Sequence, residues 1–230
     1  VSESPTFGKP DRYKASSYRS FNFKMPDRYD SLYLIKLCQV RLWHRIILEE
    51  LKADNQSGDI LDVGCGTGTL LVDLARAGAA LLAGVDLAPK ILEVAREKLA
   101  AAGAQADLRA GDAEEPLPWP SESFDVATLT GAFHHFYRPH DVLTEVYRVL
   151  RPSGELLVVD PCFFTPVRQL FNLYLRVHPL NGDYHFYTPS EGGGLLAAGG
   201  FERSEPRRVG LWAYFIRATR PNPAEGERSG

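Results

Sequence analysis

The chain of 230 residues is 44% apolar, 24% charged and 11% aromatic, which excludes disordered and fibrous classes and predicts one large soluble domain with an appended segment. Its 26 basic and 29 acidic side chains leave a formal charge of -3, so nucleic acid and anionic membranes gain no net attraction, although a local basic patch stays open. Cys38, Cys65 and Cys162 are too few and too far apart for a disulfide framework, and without a CxxC pair no metal is expected.

The chain starts VSESPTFGKPDR, with no apolar stretch behind a basic start, and no apolar run reaches the roughly 18 residues of a membrane helix. A cytoplasmic protein without an integral membrane segment is expected. Residues 1–28 are rich in Ser, Pro, Lys, Arg and aromatics without a sustained period, which predicts an irregular arm. From Tyr29 to Lys52, apolar residues including Val40, Trp43, Ile46, Ile47 and Leu51 recur at steps of three and four, the pattern of an amphipathic helix. Residues 29–57 are therefore expected as a helical segment ahead of the main domain. Within it Tyr29, Tyr33 and Trp43 suit either a lid over a ligand or the core.

The main domain, 58–220, alternates short apolar runs with helical patterns, which reads as a parallel sheet with crossover helices. Strands are expected at DILDV (59–63), LLAGVD (81–86), ADLRAGD, FDVATLT (124–130) and RPSGELLVVD. Helices follow at about Thr69 to Arg76, from Pro89 to Gly103, and over Val142 to Leu150. An aromatic insert, 163–188, begins with a helix over Phe163 to Leu180, and TPSEGGGLLAAGGF predicts a short helix broken by its glycines. Two last strands, around 201–208 and 211–218, are close enough to form an antiparallel hairpin. The tail 221–230 is expected to be disordered.

The most informative stretch is Asp62-Val63-Gly64-Cys65-Gly66-Thr67-Gly68, glycines at alternate positions between a strand and a helix. Such a turn lets a ligand approach bare backbone at a helix N-terminus. Asp86, ending the second strand about twenty residues on, suits a ribose diol. Together they indicate a nucleoside cofactor at the carboxyl ends of a parallel sheet, the plainer reading being a tight turn and a helix cap. The dinucleotide fingerprint GxGxxG would put its third glycine at Thr69, where Gly68 comes one residue early, so a nicotinamide-dependent oxidoreductase fits imperfectly.

Four ordered stretches, DVGCGTG, GVDLA, GDAEEPLPWPSESFDVATLTGAFHHF and LRPSGELLVVD, resemble the class I S-adenosylmethionine-dependent methyltransferases over about residues 58–161. RYDSLYLIKLCQVRLWHR and YRVLRPSGELLVVD are similar to the quinone-biosynthesis C-methyltransferases within that family, of methyltransferase type 11. The resemblance implies a Rossmann-like α/β fold: a doubly wound sheet, mostly parallel with a C-terminal antiparallel hairpin, and helices on both faces. It implies S-adenosylmethionine as cofactor and a small-molecule methyl acceptor; the aromatic insert suits an apolar or aromatic one, and the charge balance disfavours nucleic acid. By the same resemblance Gly64, Cys65, Gly66 and Gly68 face the methionine part, and Asp62 its ammonium. Asp86 holds the ribose hydroxyls, Leu87 lies beside the adenine, Asp112 and Ala113 meet the adenine edge and ring, and Thr130 lies near the sulfonium.

Methyl transfer needs alignment of nucleophile, methyl and sulfur, and a base only where the nucleophile carries a proton. His134 and His135, just past the fourth strand, are the candidate bases, with packing or capping as the alternative for either. Phe163, Phe164, Phe171, Tyr174, Tyr184, Phe186 and Tyr187 suit an acceptor pocket or the core. A methyltransferase-like domain that binds without catalysis also stays open, as does the oligomeric state.

Overall fold

The structure is a computed structural model describing residues 12–24, 34–53, 58–178, 182–202 and 204–223, without the side chains of Lys24, residues 34–39 and Ala53. Seven strands form one sheet: β1 (Asp59–Val63), β2 (Leu81–Asp86), β3 (Asp107–Ala110), β4 (Phe124–Thr130), β5 (Leu150–Pro161), β6 (Arg207–Val209) and β7 (Ala213–Thr219). Their order is β3-β2-β1-β4-β5-β7-β6. The first five pair in parallel, and β7 runs antiparallel between β5 and β6. This is the parallel sheet that the alternating apolar runs predicted, in the doubly wound form with a terminal hairpin that the family resemblance implied.

The central strands are apolar on both faces because each face is buried under its own helices. On one side Ile60, Val126, Leu157 and Val159 pack with α2 (Leu34–Ala53), α3 (Thr69–Arg76) and α4 (Pro89–Ala101). On the other, Leu61, Ala127, Leu156 and Val158 pack with α5 (Pro139–Val149) and α7 (Pro189–Ala198). The strand residues alternate between the two cores with the period of two that a pleated strand imposes. Trp43 of α2 belongs to the first core, against Gly131, and is not a lid. Tyr29 and Tyr33 lie outside the described residues, as does Cys38's side chain and the tail from Ala224 onward.

Two expectations are corrected. Within the arm expected to be irregular, residues 12–19 form an α-helix, α1 (Arg12–Arg19), followed by a π-helical turn over Ser20–Lys24. No local period announces α1 because tertiary contacts hold it: Tyr13 Oη donates to the Leu175 carbonyl at 2.9 Å, and its ring meets Tyr137 and Tyr184. The Asn22 side chain accepts from the Lys90 amide at 2.9 Å, capping α4 from outside. The second correction is α7, which carries Gly192, Gly193 and Gly194 without breaking. Thr188 and Glu191 form a reciprocal capping box at its start. A Cβ at Gly192 would come within 2.8 Å of Ile216, so close packing on β7 explains that glycine.

Winding outward in both directions from β1 and β4 leaves a crevice at their carboxyl ends, the switch point where such sheets take ligands.

Candidate active site

Between β1 and α3 the chain turns sharply, with Gly64, Gly66 and Gly68 at φ of 75°, 50° and 69°. The Gly64 and Cys65 amides both donate to the Val85 carbonyl, at 2.8 and 3.1 Å, which ties the turn to the end of β2. The three glycines do different things. A Cβ on Gly66 would meet nothing within 4 Å and stand in open space, whereas on Gly64 it would strike Ala132 at 2.6 Å and on Gly68 Ala95 at 2.9 Å. Gly66 keeps the cleft open, and Gly64 and Gly68 allow close packing.

The cleft holds about 730 Å³ out to its open mouth. Of the residues expected at the site, Gly64, Gly66, Asp86, Leu87, Asp112, Ala113 and His135 line it. Asp86 accepts from the Gly66 amide at 3.0 Å and from Ala88 at 2.9 Å, one bond to each oxygen, and burial lifts its carboxyl to about 6 against those two donors. Asp112 accepts from the Glu114 amide at 2.9 Å and from the Lys14 ammonium at 2.6 Å.

Asp62, Cys65, Gly68, Thr130 and His134 are not on the wall. Asp62 is buried beneath the turn, where its carboxylate accepts from Thr128 Oγ1 at 2.7 Å and burial pushes it up to about 7. The Cys65 thiol packs into the space left by Gly84 on β2. The Thr130 hydroxyl is buried without a hydrogen-bond partner, and the wall beside it is Gly131 and Ala132.

Lys14, Ser17 and Phe21, from α1 and the turn after it, line the cleft although nothing in the sequence marks them. Lys14 is buried and also pairs with Glu114 at 2.9 Å. Burial opposes its charge, but the two carboxylates outweigh that and hold its pKa above the ordinary lysine value. Glu114 also accepts from the Tyr137 amide at 2.6 Å and from Arg138 at 3.1 Å. Among the described residues, the element that covers the cleft is α1 with the turn after it; much of the segment 29–57 that the sequence offered as a cover lies outside them.

The two histidines follow β4 in a single 3-10 turn, Phe133–His135, next to the end of β5. His134 Nδ1 lies 3.0 Å from Oδ1 of Asp160, which is fully buried on β5, and burial raises that carboxyl against the neighbouring imidazole. On its other side His134 Nε2 is 3.6 Å from Asp183, whose same oxygen lies 3.3 Å from His135 Nδ1. The imidazole rings are 4.1 Å apart, Phe186 stacks on His134 at 5.0 Å, and Phe21 meets His135 edge-on at 6.0 Å. Asp160 and Asp183 therefore join the expected pair; a carboxylate ending the strand beside β4 was the available signal for Asp160, and Asp183 had none. The insert's aromatics do not line the cleft: Phe163, Phe171 and Phe186 cluster with one another, and Tyr184 joins Tyr13 and Tyr137. The lining aromatics among the described residues are Phe21 and Phe136.

Known proteins resemble the chain in sequence and in fold. The family described as "Methyltransferase domain" matches residues 61–158. The demethylmenaquinone methyltransferase of Thermus thermophilus is 36% identical over 152 residues, covering 66% of this chain and 68% of that protein. The ubiquinone/menaquinone biosynthesis C-methyltransferase UbiE of Stutzerimonas stutzeri is 35% identical over 137 residues, covering 57% of this chain and 52% of that protein. The chain thus spans from about half to about two thirds of the length of these relatives. Among solved structures, the magnesium protoporphyrin IX methyltransferase of Synechocystis, with bound SAH, gives a TM-score of 0.70 at 19% identity, over 90% of this chain and 99% of that one. At that identity the likeness carries the fold.

Proposed function

The chain belongs to the S-adenosylmethionine-dependent methyltransferases, and from that premise we propose that it methylates a small, largely apolar, ring-bearing acceptor whose nucleophile is deprotonated by His135. The residues present fit the cofactor. Gly66 leaves open the space a side chain would fill, and Asp86 has one donor on each oxygen, with lone pairs left for two hydroxyls. In this reading Gly64 and Gly66 hold the methionyl part against bare backbone, and Asp86 the ribose. Leu87 and Ala113 flank the adenine, and Asp112, steadied by Lys14, takes its edge. Asp62 acts on the ammonium from beneath the turn, while Cys65, Gly68 and Thr130 shape the loop and strand end from behind. When bound, the cofactor supplies an electrophilic methyl group on sulfur.

The observation that carries the base assignment is His135 on the cleft wall with Asp183 at its Nδ1. The negative charge of Asp183, 3.3 Å from Nδ1, favours the proton on that nitrogen, which leaves the Nε2 lone pair to take the acceptor's proton. His134, between Asp160 and Asp183, fixes the carboxylate that orients His135. Lys14, Ser17 and Phe21 close the mouth and exclude water. The apolar acceptor is supported by Phe21 and Phe136 in the cleft, and by relatives named for demethylmenaquinone. Asp86, Asp112 and Glu114 against Lys14 give the cleft no attraction for a polyanion. The free thiols of Cys65 and Cys162 support a cytoplasmic setting; no helix among the described residues is long and apolar enough to cross a membrane.

The test is a mass-spectrometric assay with S-adenosylmethionine and a water-soluble demethylated quinol. His135→Gln is expected to lower kcat by about 10²–10⁴ while S-adenosylhomocysteine affinity stays unchanged. Undiminished turnover in that variant rejects the base.

A further inference from the structure

Helix α6 (Val167–Leu175) is built the wrong way round for a helix covering a core. Its buried positions are Arg168, Asn172 and Leu175, one inward stripe at steps of four and three. Two of these are polar, and hydrogen bonds hold the helix down. Asn172 exchanges two bonds with the Phe186 backbone, at 2.9 and 3.0 Å, and Arg168 reaches the Phe186 carbonyl at 3.2 Å and Glu191 at 2.9 Å. The other apolar residues face outward: Leu170 is 66% exposed, Leu173 59% and the following Val177 63%, with Val167, Phe171 and Tyr174 beside them.

The surface continues beyond the helix. Phe164 lies edge-on to Trp212 at 5.8 Å, and the β6–β7 turn offers Leu211, 64% exposed. An isolated exposed leucine is ordinary, but a contiguous apolar face across two elements marks a contact surface. Its charges are one-sided. Residues 161–182 and 206–224 contain no Asp or Glu, although the whole chain carries a net charge of -3. Arg176 is exposed at the end of α6, and Arg208 stacks over Phe164 at 4.9 Å.

We propose that the outer face of α6, with Phe164 and the Leu211–Trp212 turn, docks on an anionic lipid surface. Leucines enter the acyl boundary, Trp212 and Tyr174 suit the headgroup level, and Arg176 and Arg208 meet the anionic groups. A nine-residue helix is too short to span a bilayer, so it lies along it. Charge decides against a second copy as the occupant, since symmetric pairing sets the same arginine-bearing, acid-free face against itself. This proposal goes beyond the methyl-transfer reading and does not rest on the acceptor's identity.

The experiment is sedimentation of the full chain with vesicles of phosphatidylglycerol and phosphatidylcholine, against phosphatidylcholine alone. Binding to the anionic vesicles, weakened by salt, is expected, with a blue shift in emission from Trp212, since Trp43 and Trp119 are buried. The double variant Leu170→Glu/Leu173→Glu should lose about tenfold or more of that binding. It should keep the wild-type melting temperature and turnover of a water-soluble acceptor. Absence of vesicle binding, binding indifferent to the double variant, or a concentration-dependent dimer that the variant dissociates would each overturn the proposal, the last in favour of a second copy. Loss of methyl transfer with vesicle binding intact would bear on the proposed function alone.

Discussion

Asp86 combines a half-buried carboxyl, lifted to about 6, with a position at the cleft wall. In the ribose-binding role proposed for it, only the ionised form leaves both oxygens as acceptors for two hydroxyls, so affinity for S-adenosylhomocysteine is expected to fall as pH drops through about 6. Asp86→Asn cannot ionise. It should flatten that dependence and weaken binding by about 1–3 kcal/mol, read by calorimetric titration across the pH range. The glycines of the turn give a paired test. Gly66→Ala meets strain from φ 50° but no protein atom, so it should fold and lose cofactor affinity. Gly64→Ala drives a Cβ to 2.6 Å from Ala132, so it should lose stability, by about 1–3 kcal/mol in chemical denaturation.

At the scale of elements, α1 is held by side chains rather than by helix propensity, since eight residues are too few to be helical alone. Lys14 is its main polar attachment. Lys14→Met would leave Asp112 and Glu114 facing each other, with Arg138 still on Glu114. Breaking a buried pair typically costs about 3–5 kcal/mol, and the remaining arginine brings the expected loss down to about 2–3 kcal/mol. The variant should also bind S-adenosylhomocysteine more weakly, because its cover is loosened. An unchanged denaturation midpoint would show that α1 is not seated in solution. α6, whose end receives the Tyr13 hydroxyl of α1, reverses the usual division: Arg168 and Asn172 hydrogen-bond toward the protein, and most of its apolar side chains other than Leu175 point away from it.

Across the whole molecule, the two cores meet at the sheet, where Val126, Ala127, Leu129 and Leu156 to Val159 are fully buried. Amides of β1, β4 and β5 should accordingly exchange slowest with solvent, at the global unfolding free energy. The amides of α1, whose hold on the domain runs through a few side chains, should exchange faster and become protected when S-adenosylhomocysteine binds. Hydrogen exchange followed by mass spectrometry checks both. Equal protection of α1 with and without ligand would separate it from the cofactor site.

The strands, their parallel order, the glycine turn and Asp86 were legible in the chain because each obeys a local rule. Strands buried on both faces are continuously apolar, a strand-to-helix turn against bare backbone needs glycine, and a parallel sheet brings strand ends to one edge. The same rules identified the region of His134 and His135 but did not distinguish the residue on the wall from the one behind it, since one step along a 3-10 turn decides that. Tertiary structure alone decided the rest. Tyr13 reaches a carbonyl 162 residues away and Lys14 a carboxylate 98 residues away, so neither contact leaves a period or motif in the neighbouring sequence. Asp183 became a partner of both histidines only because the segment after α6 folds back over the end of β4, where the Tyr184 and His185 amides donate to the His134 carbonyl. Sequence patterns report what a residue's neighbours require of it; which distant side chain meets it is settled by how the helices close over the sheet.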